Sequence, residues 1–318
     1  MLGRPLSRRR FLAGLAALPF AIQAACSGDD APGAVTDAPV AKDVASEARA
    51  APPPPPFVVP EGEERRTLMA GTPQETDLYI FGSGKPGNVL MVLGGVHGNE
   101  PGGWFGAERL LDSLRPATGA FLVVPYANRL ATRDFVRTTP ELGDLNRLYP
   151  GDPIGLPMAR MAYEITETAS EFHVNHLIDM HESWAFYNDR PQNGTAFLGQ
   201  TIGTNVAEPA VTLAQEVIEA VNSRILASRE EFFYRNRIGS GNGPPESRRQ
   251  ESSSDQGGIR QAAGGSGVSS SSLGLPRALP GLSVYLVEMG QQQTLERRIA
   301  LHVEVAEELA RRIGILSA

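Results

Sequence analysis

The feature that most constrains this chain is a run of five apolar residues, Val89–Leu93, that ends in Gly94-Gly95 and is followed at once by His97 and Glu100. A run of this length, with turn-forming Gly82-Ser83-Gly84-Lys85-Pro86-Gly87 before it and glycines after it, reads as a strand buried on both faces. In open α/β sheets, ligands gather at the carboxyl ends of such strands. Imidazole nitrogen and carboxylate oxygen are both zinc donors, and a catalytic zinc takes three protein ligands and keeps one position open. The His-x-x-acid spacing alone carries little, because five histidines and 36 acidic residues produce it readily by chance. The setting makes it specific: strand, glycines, donors, then a helix-like segment from Gly102.

The rest of the chain repeats this rhythm. Asp77–Phe81, Ala120–Val124, Val174–Met180 and Ser283–Val287 read as strands, and Trp104–Leu114, Met158–Phe172 and Leu295–Ile313 carry apolar residues at helical spacing. The alternation predicts an α/β fold with a mixed, largely parallel central sheet and helices on both faces. His181 ends the strand that begins at Val174 and is the candidate third donor. Asp179 shares its side of the strand and is either an outer carboxylate behind the metal or a cap on the sheet, whereas Glu182 points away and receives no role. His173, His176 and His302 lack ligand spacing and read as surface or boundary residues.

Between the two ligand strands lies Pro125–Gly151, a long connection holding four arginines in an otherwise acidic protein. Connections of this length are usually functional, and guanidinium groups bind carboxylates through paired hydrogen bonds. This loop is therefore a candidate site for an anionic substrate group.

Composition sets the limits of the folded part. Residues 1–25 contain Arg4, Arg8, Arg9 and Arg10 and no acid, then an apolar stretch too short for a mature membrane span, which reads as a twin-arginine-type export signal. Cys26 is the only cysteine, so no intrachain disulfide can form; its position after Ala24-Ala25 suits either lipidation and membrane attachment or simple cleavage nearby. Residues 26–56 are rich in Ala, Pro and Asp and read as a disordered tether. Taking the four signal arginines from a net charge of −7 leaves −11, which argues against nucleic acid as a partner. The catalytic domain is expected over 57–318, interrupted by a Gly/Ser-rich disordered insertion at about 239–272.

In this order, His97-Gly98-Asn99-Glu100, Arg137, Asp144-Leu145-Asn146-Arg147, Asp179-Met180-His181 and Val287-Glu288-Met289-Gly290 resemble the zinc carboxypeptidase fold. Within it they are most similar to the succinylglutamate desuccinylase/aspartoacylase family, over roughly residues 66–238 and 276–313. The resemblance implies one zinc ion held by His97, Glu100 and His181, with Asp144 orienting His97. It implies that Asn146 and Arg147 grip a substrate carboxylate and that Arg137 stabilises the oxyanion formed on the attacked carbonyl. Glu288 would be the general base, taking a proton from the attacking water and passing it to the leaving amine. Only about thirty residues follow Glu288, so the C-terminal β domain of desuccinylases and aspartoacylases is expected to be absent.

The function so implied is that of an exported zinc hydrolase cleaving an amide bond next to a free carboxylate, with N-acyl amino acids as the favoured substrates. The alternative enzyme is a metallocarboxypeptidase acting on short peptides such as those of the cell wall. A zinc-containing binding protein without turnover is a third reading, against which Glu288 and Arg137 weigh, since a binder needs neither base nor oxyanion clamp.

Overall fold

Eight strands form one sheet in the computed structural model, which describes residues 57–189, 195–235 and 270–317. They are β1 (Glu61–Leu68), β2 (Thr76–Ser83), β3 (Val89–Leu93), β4 (Ala120–Val124), β5 (His176–Ser183), β6 (Thr201–Thr204), β7 (Phe233–Arg235) and β8 (Ser283–Gly290). The helices are α1 (Pro101–Ser113), α2 (Arg129–Asp134), α3 (Pro157–Glu171), α4 (Ala210–Asn222) and α5 (Leu295–Arg312). The expected export signal and tether, and residues 239–269 of the expected insertion, lie outside the described residues.

The sheet order is β1-β2-β4-β3-β5-β8-β6-β7. Its central four strands are parallel, while β1, β2 and β6 join by antiparallel pairing, so the sheet is mixed and largely parallel, as expected. From β3 the chain moves outward to β4 on one side, and from β5 to β8 on the other. The gap between the carboxyl ends of β3 and β5 is therefore the switch point at which open α/β sheets form a crevice.

Side-chain alternation sorts the strands into two cores. On one face Met91, Leu93, Leu122, Leu177 and Val284 pack with Met158, Met161 and Ile165 of α3. On the other, Leu90, Val92, Phe121, Ile178 and Val287 pack with Leu110 of α1, Val217 of α4 and Val305 and Leu309 of α5. Each such side chain contributes about 2 kcal/mol by leaving water, so the centre of the sheet is the stiffest place on which to mount a site. Helix ends are specified locally. Pro101 and Pro157 open α1 and α3, where their missing N–H costs nothing, and the Thr294 hydroxyl accepts from Arg297 N–H at the start of α5.

Five elements, β1, α2, β6, α4 and β7, escape the sequence pattern. The strand β1 reads EGEERRTL with nearly every residue exposed, and backbone pairing to β2 holds it at the sheet edge, where its charges discourage further pairing. The short β6 and β7, with α4 between them, extend the other edge. The downstream boundary of the insertion also shifts. Ser271 and Ser272 are buried, and the 3₁₀ turn Ser272–Arg277 inserts Leu275 into the α3-side core. Residues 271 and 272 therefore belong to the folded domain.

Candidate active site

The loop leaving β3 turns so tightly that a side chain at Gly98 would place Cβ 1.9 Å from the Ala131 carbonyl oxygen of α2. That contact sets His97 inward. Glu100 is the residue from which α1 starts, yet its carboxylate caps no helix N–H and turns instead to the histidines. His97 Nδ1 lies 2.7 Å from Glu100 Oε1, His181 Nδ1 lies 2.9 Å from Glu100 Oε2, and the two Nδ1 atoms are 3.1 Å apart. All three side chains are buried, and their donor atoms lie within 4.8 Å of one another. The two strand ends thus bring together the three expected donors. Glu100 is further fixed by the Glu182 N–H, which donates to Oε2 at 3.0 Å.

The far nitrogens of both rings face carboxylates. Asp144 Oδ1 stands 3.1 Å from His97 Nε2 while also accepting the Asn146 N–H at 3.0 Å, which fixes Asp144 at the head of the 3₁₀ turn Leu145–Arg147. Asp179 Oδ1 stands 3.1 Å from His181 Nε2, and its Oδ2 accepts the Ser272 hydroxyl at 2.6 Å. Asp179 thus stands behind the His181 ring and also joins β5 to the Ser272 turn.

The electrostatics follow from this packing. Burial pushes both imidazoles toward neutrality, but Glu100 and Asp144 raise His97 above its ordinary value, and Asp179 and Glu100 raise His181 well above it. Burial alone would raise Glu100 and Asp144; the histidines, with Arg137 and Arg147 beside Asp144, hold both carboxyls below their usual range. Around neutral imidazoles the three carboxylates outnumber the Arg137 and Arg147 guanidiniums, so the cluster is net negative. A divalent cation suits that charge, and two inward Nδ1 atoms plus a carboxylate, each ring backed by a second carboxylate, match zinc's donor preferences.

The arginine loop lies against this cluster. Arg137, half exposed, reaches Glu100 Oε1 and Asp144 Oδ2 at 3.4 Å each, and its carbonyl accepts the Gly98 N–H at 3.3 Å. Arg147 is exposed and donates to the Asn146 carbonyl at 2.8 Å, while Asn146 itself is buried with its side-chain oxygen unpartnered among the described residues. Glu288 is partly buried and is the register partner of His181 on neighbouring parallel strands, so the two side chains rise from the same face of the sheet.

Two expectations are corrected. His176 and His302 are buried, not surface or boundary residues, and only His173 is exposed. Glu182, given no role from sequence, forms a buried ion pair with Arg298 of α5 at 2.6 Å on the opposite side of β5 and is pushed up to about 7, chiefly by burial. Sequence reasoning missed Ser272, which carried no signal because it ends a run of four serines in a Gly/Ser-rich tract.

Comparison with known proteins bears on this geometry. Residues 86–185 match the model of the succinylglutamate desuccinylase/aspartoacylase catalytic domain. The chain resembles that family within the zinc carboxypeptidase fold. The matched stretch carries His97, Glu100, Arg137, Asp144, Asn146, Arg147, Asp179 and His181, and stops short of Ser272 and Glu288. N-alpha-acetyl-L-2,4-diaminobutyric acid deacetylase of Halomonas elongata is 32% identical over 97 residues, covering 30% of this chain and 26% of that protein. Among solved structures, tripeptide-bound Cell Shape Determinant Csd4 of Helicobacter pylori aligns with a TM-score of 0.57 and 19% identity over 80% of this chain and 56% of its own. The succinylglutamate desuccinylase/aspartoacylase of Rhodobacter sphaeroides aligns at 0.53 and 16%, over 81% and 67%. The chain spans about half the length of the Csd4 structure and about a quarter of the deacetylase. At such identities the solved structures share the fold.

Proposed function

We propose that this protein is a zinc-dependent hydrolase that cleaves an amide bond next to a free carboxylate, with N-acyl amino acids as its substrates. The observation that carries the reading is the meeting of His97, Glu100 and His181 at the β3/β5 crevice with Glu288 in register beside them. Those three residues would hold the zinc, which supplies Lewis-acid polarisation of the scissile carbonyl. Glu288 takes a proton from the attacking water and delivers it to the leaving nitrogen. Arg137, already against the donor cluster, faces the charge that develops on the carbonyl oxygen. Arg147 and Asn146 bind the substrate carboxylate, which places the scissile bond at the right distance from the centre.

Peptide cleavage is the second reading, favoured by the alignment with Csd4, one structure of which is described as tripeptide-bound and another as a D,L-carboxypeptidase. Both readings need the same free carboxylate and differ in what lies on the acyl side. We also propose that the enzyme is exported and tethered in the cell envelope, on the strength of residues 1–25, Cys26 and the proline-rich stretch that follows. The deciding experiment incubates the purified, zinc-loaded chain with acetyl- and succinyl-amino acids and with short peptides. Release of free amino acid from the acyl compounds is the expected result. Release from peptides alone would establish the carboxypeptidase, and zinc binding with no turnover on any substrate would establish the binding protein.

A further inference from the structure

We propose that Ser272 is a positioning residue of the metal centre, acting through Asp179 on His181. This rests on the reading of His97, Glu100 and His181 as zinc ligands. Ser272 and Asp179 are both fully buried, and they meet across 93 residues of sequence through the 2.6 Å bond from the Ser272 hydroxyl to Asp179 Oδ2. The other oxygen of the same carboxylate is the one that faces His181 Nε2 at 3.1 Å. One carboxylate is thus divided between two partners, with one oxygen given to the ring and the other to the serine.

A carboxylate with no contact with water depends on its protein donors for its orientation. Among the described residues, the Ser272 hydroxyl is the hydrogen-bond donor on Oδ2. The nearby Tyr149 hydroxyl is buried, feels the Asp179 charge and has no hydrogen-bond partner among the described residues. The seat of Ser272 is itself fixed. Tyr149 N–H donates to the Ser270 carbonyl at 3.0 Å, Gly274 N–H donates to the Ser271 carbonyl at 2.8 Å, and Leu275 is locked in the core. The serine is therefore held at one place against β5, where its hydroxyl can fix the rotation of Asp179. Asp179 in turn keeps the His181 ring turned so that Nδ1 aims at the point shared with His97 and Glu100. Without the hydroxyl, Asp179 can swing, and the ring loses the partner that orients it.

Partners of this outer kind typically change metal affinity 10- to 100-fold when removed, and a residue acting through one of them belongs at the lower end. Zinc dissociation constants measured on the full chain by competition with a chelator give the test. Ser272→Ala should weaken zinc binding about tenfold, and Ser272→Cys, which keeps the shape with a weaker donor, should fall between it and the original. Asp179→Asn should weaken binding at least as much, and Ser272→Ala should add nothing in the Asp179→Asn background, because the serine acts through that carboxylate. Cobalt-loaded Ser272→Ala should also show altered visible absorption, which a merely structural role would not change.

The proposal is overturned if Ser272→Ala binds zinc as the unmodified chain does, or if the two substitutions weaken binding independently. Should the alanine variant fail to fold, Ser272→Cys carries the test, and unchanged affinity there overturns the proposal. Failure of the unmodified chain itself to bind zinc would instead reject the metal-site reading beneath it.

Discussion

Four of the five histidines in this protein are buried, and they divide into two pairs with opposite chemistry. His97 and His181 are each flanked by two carboxylates and are raised above their ordinary value in spite of burial. His176 and His302 are equally hidden but have no such company. Burial holds His176 down at about 4, and the Tyr285 hydroxyl lies 3.3 Å from its Nδ1. His302 is held at about 3, by burial first and then by the His181 and Arg298 charges, which outweigh Glu100. It packs where α5 presses on Gly106 of α1, at a point too close for any side chain on the glycine. Desolvation alone makes an imidazole neutral and inert; carboxylates at both nitrogens aim it and make it a ligand.

The largest effects should come from breaking that distinction directly. Replacing His97 or His181 by alanine should remove most bound zinc and at least about 10³-fold of activity, while His302→Gln should change activity by less than about threefold. Glu288→Gln separates chemistry from binding, because it keeps the shape of the strand end and removes the base. It should retain zinc and lose about 10³-fold in kcat. Metal analysis and steady-state kinetics of the four variants decide the matter. Full zinc in His181→Ala would show that the donors converge for another reason.

A smaller contrast lies in the two arginines nearest the cluster. Arg137 touches Glu100 and Asp144, whereas Arg147 is exposed and bonded to the backbone of its own turn. If the first meets charge that appears during reaction and the second a carboxylate already present, Arg137→Ala should lower kcat by about 10²-fold and Arg147→Ala should raise KM by about tenfold. Matching losses in kcat and KM for both variants would end the division of roles.

How much of this was legible in the sequence depended on how local each signal was. The strands β3, β4, β5 and β8 could be read because parallel strands buried on both faces are unbroken apolar runs, and His97, Glu100 and His181 could be read because they sit at the ends of such runs. The second contact of Asp179 could not be read, since it depends on Ser272 arriving from a distant segment. Ser272 is hidden in a serine and glycine tract whose composition says insertion and whose last residues fold. His176 and His302 were misplaced because burial is set by what packs on them, Tyr285 for one and Gly106 for the other, and neither is a sequence neighbour. The strand β1 was missed because an edge strand draws its stability from backbone pairing and can be charged throughout.

The two pairs of histidines should also pull stability in opposite directions with pH, and His176 allows the smallest and cleanest test. Its folded value is about 4, below the ordinary value near 6.5 that it takes in the unfolded chain. Between these limits the unfolded chain binds a proton that the folded protein refuses. The stability linked to His176 is therefore fully present above about pH 6.5 and is lost as the pH falls toward 4, by at most about 1.4 kcal/mol per pH unit and about 3 kcal/mol in all. His97 and His181, with raised values, contribute with the other sign: what they add is present in acid and is lost as the pH rises through their folded values. His176→Asn removes one of the opposing terms and leaves the cluster untouched. Denaturant titrations of the original and the variant at intervals from pH 7.5 to 4.5 should show the original losing stability faster on acidification, with the gap between them opening below about pH 6.5. Parallel curves over that range would mean that His176 takes up its proton in the folded state and that burial does not hold it neutral.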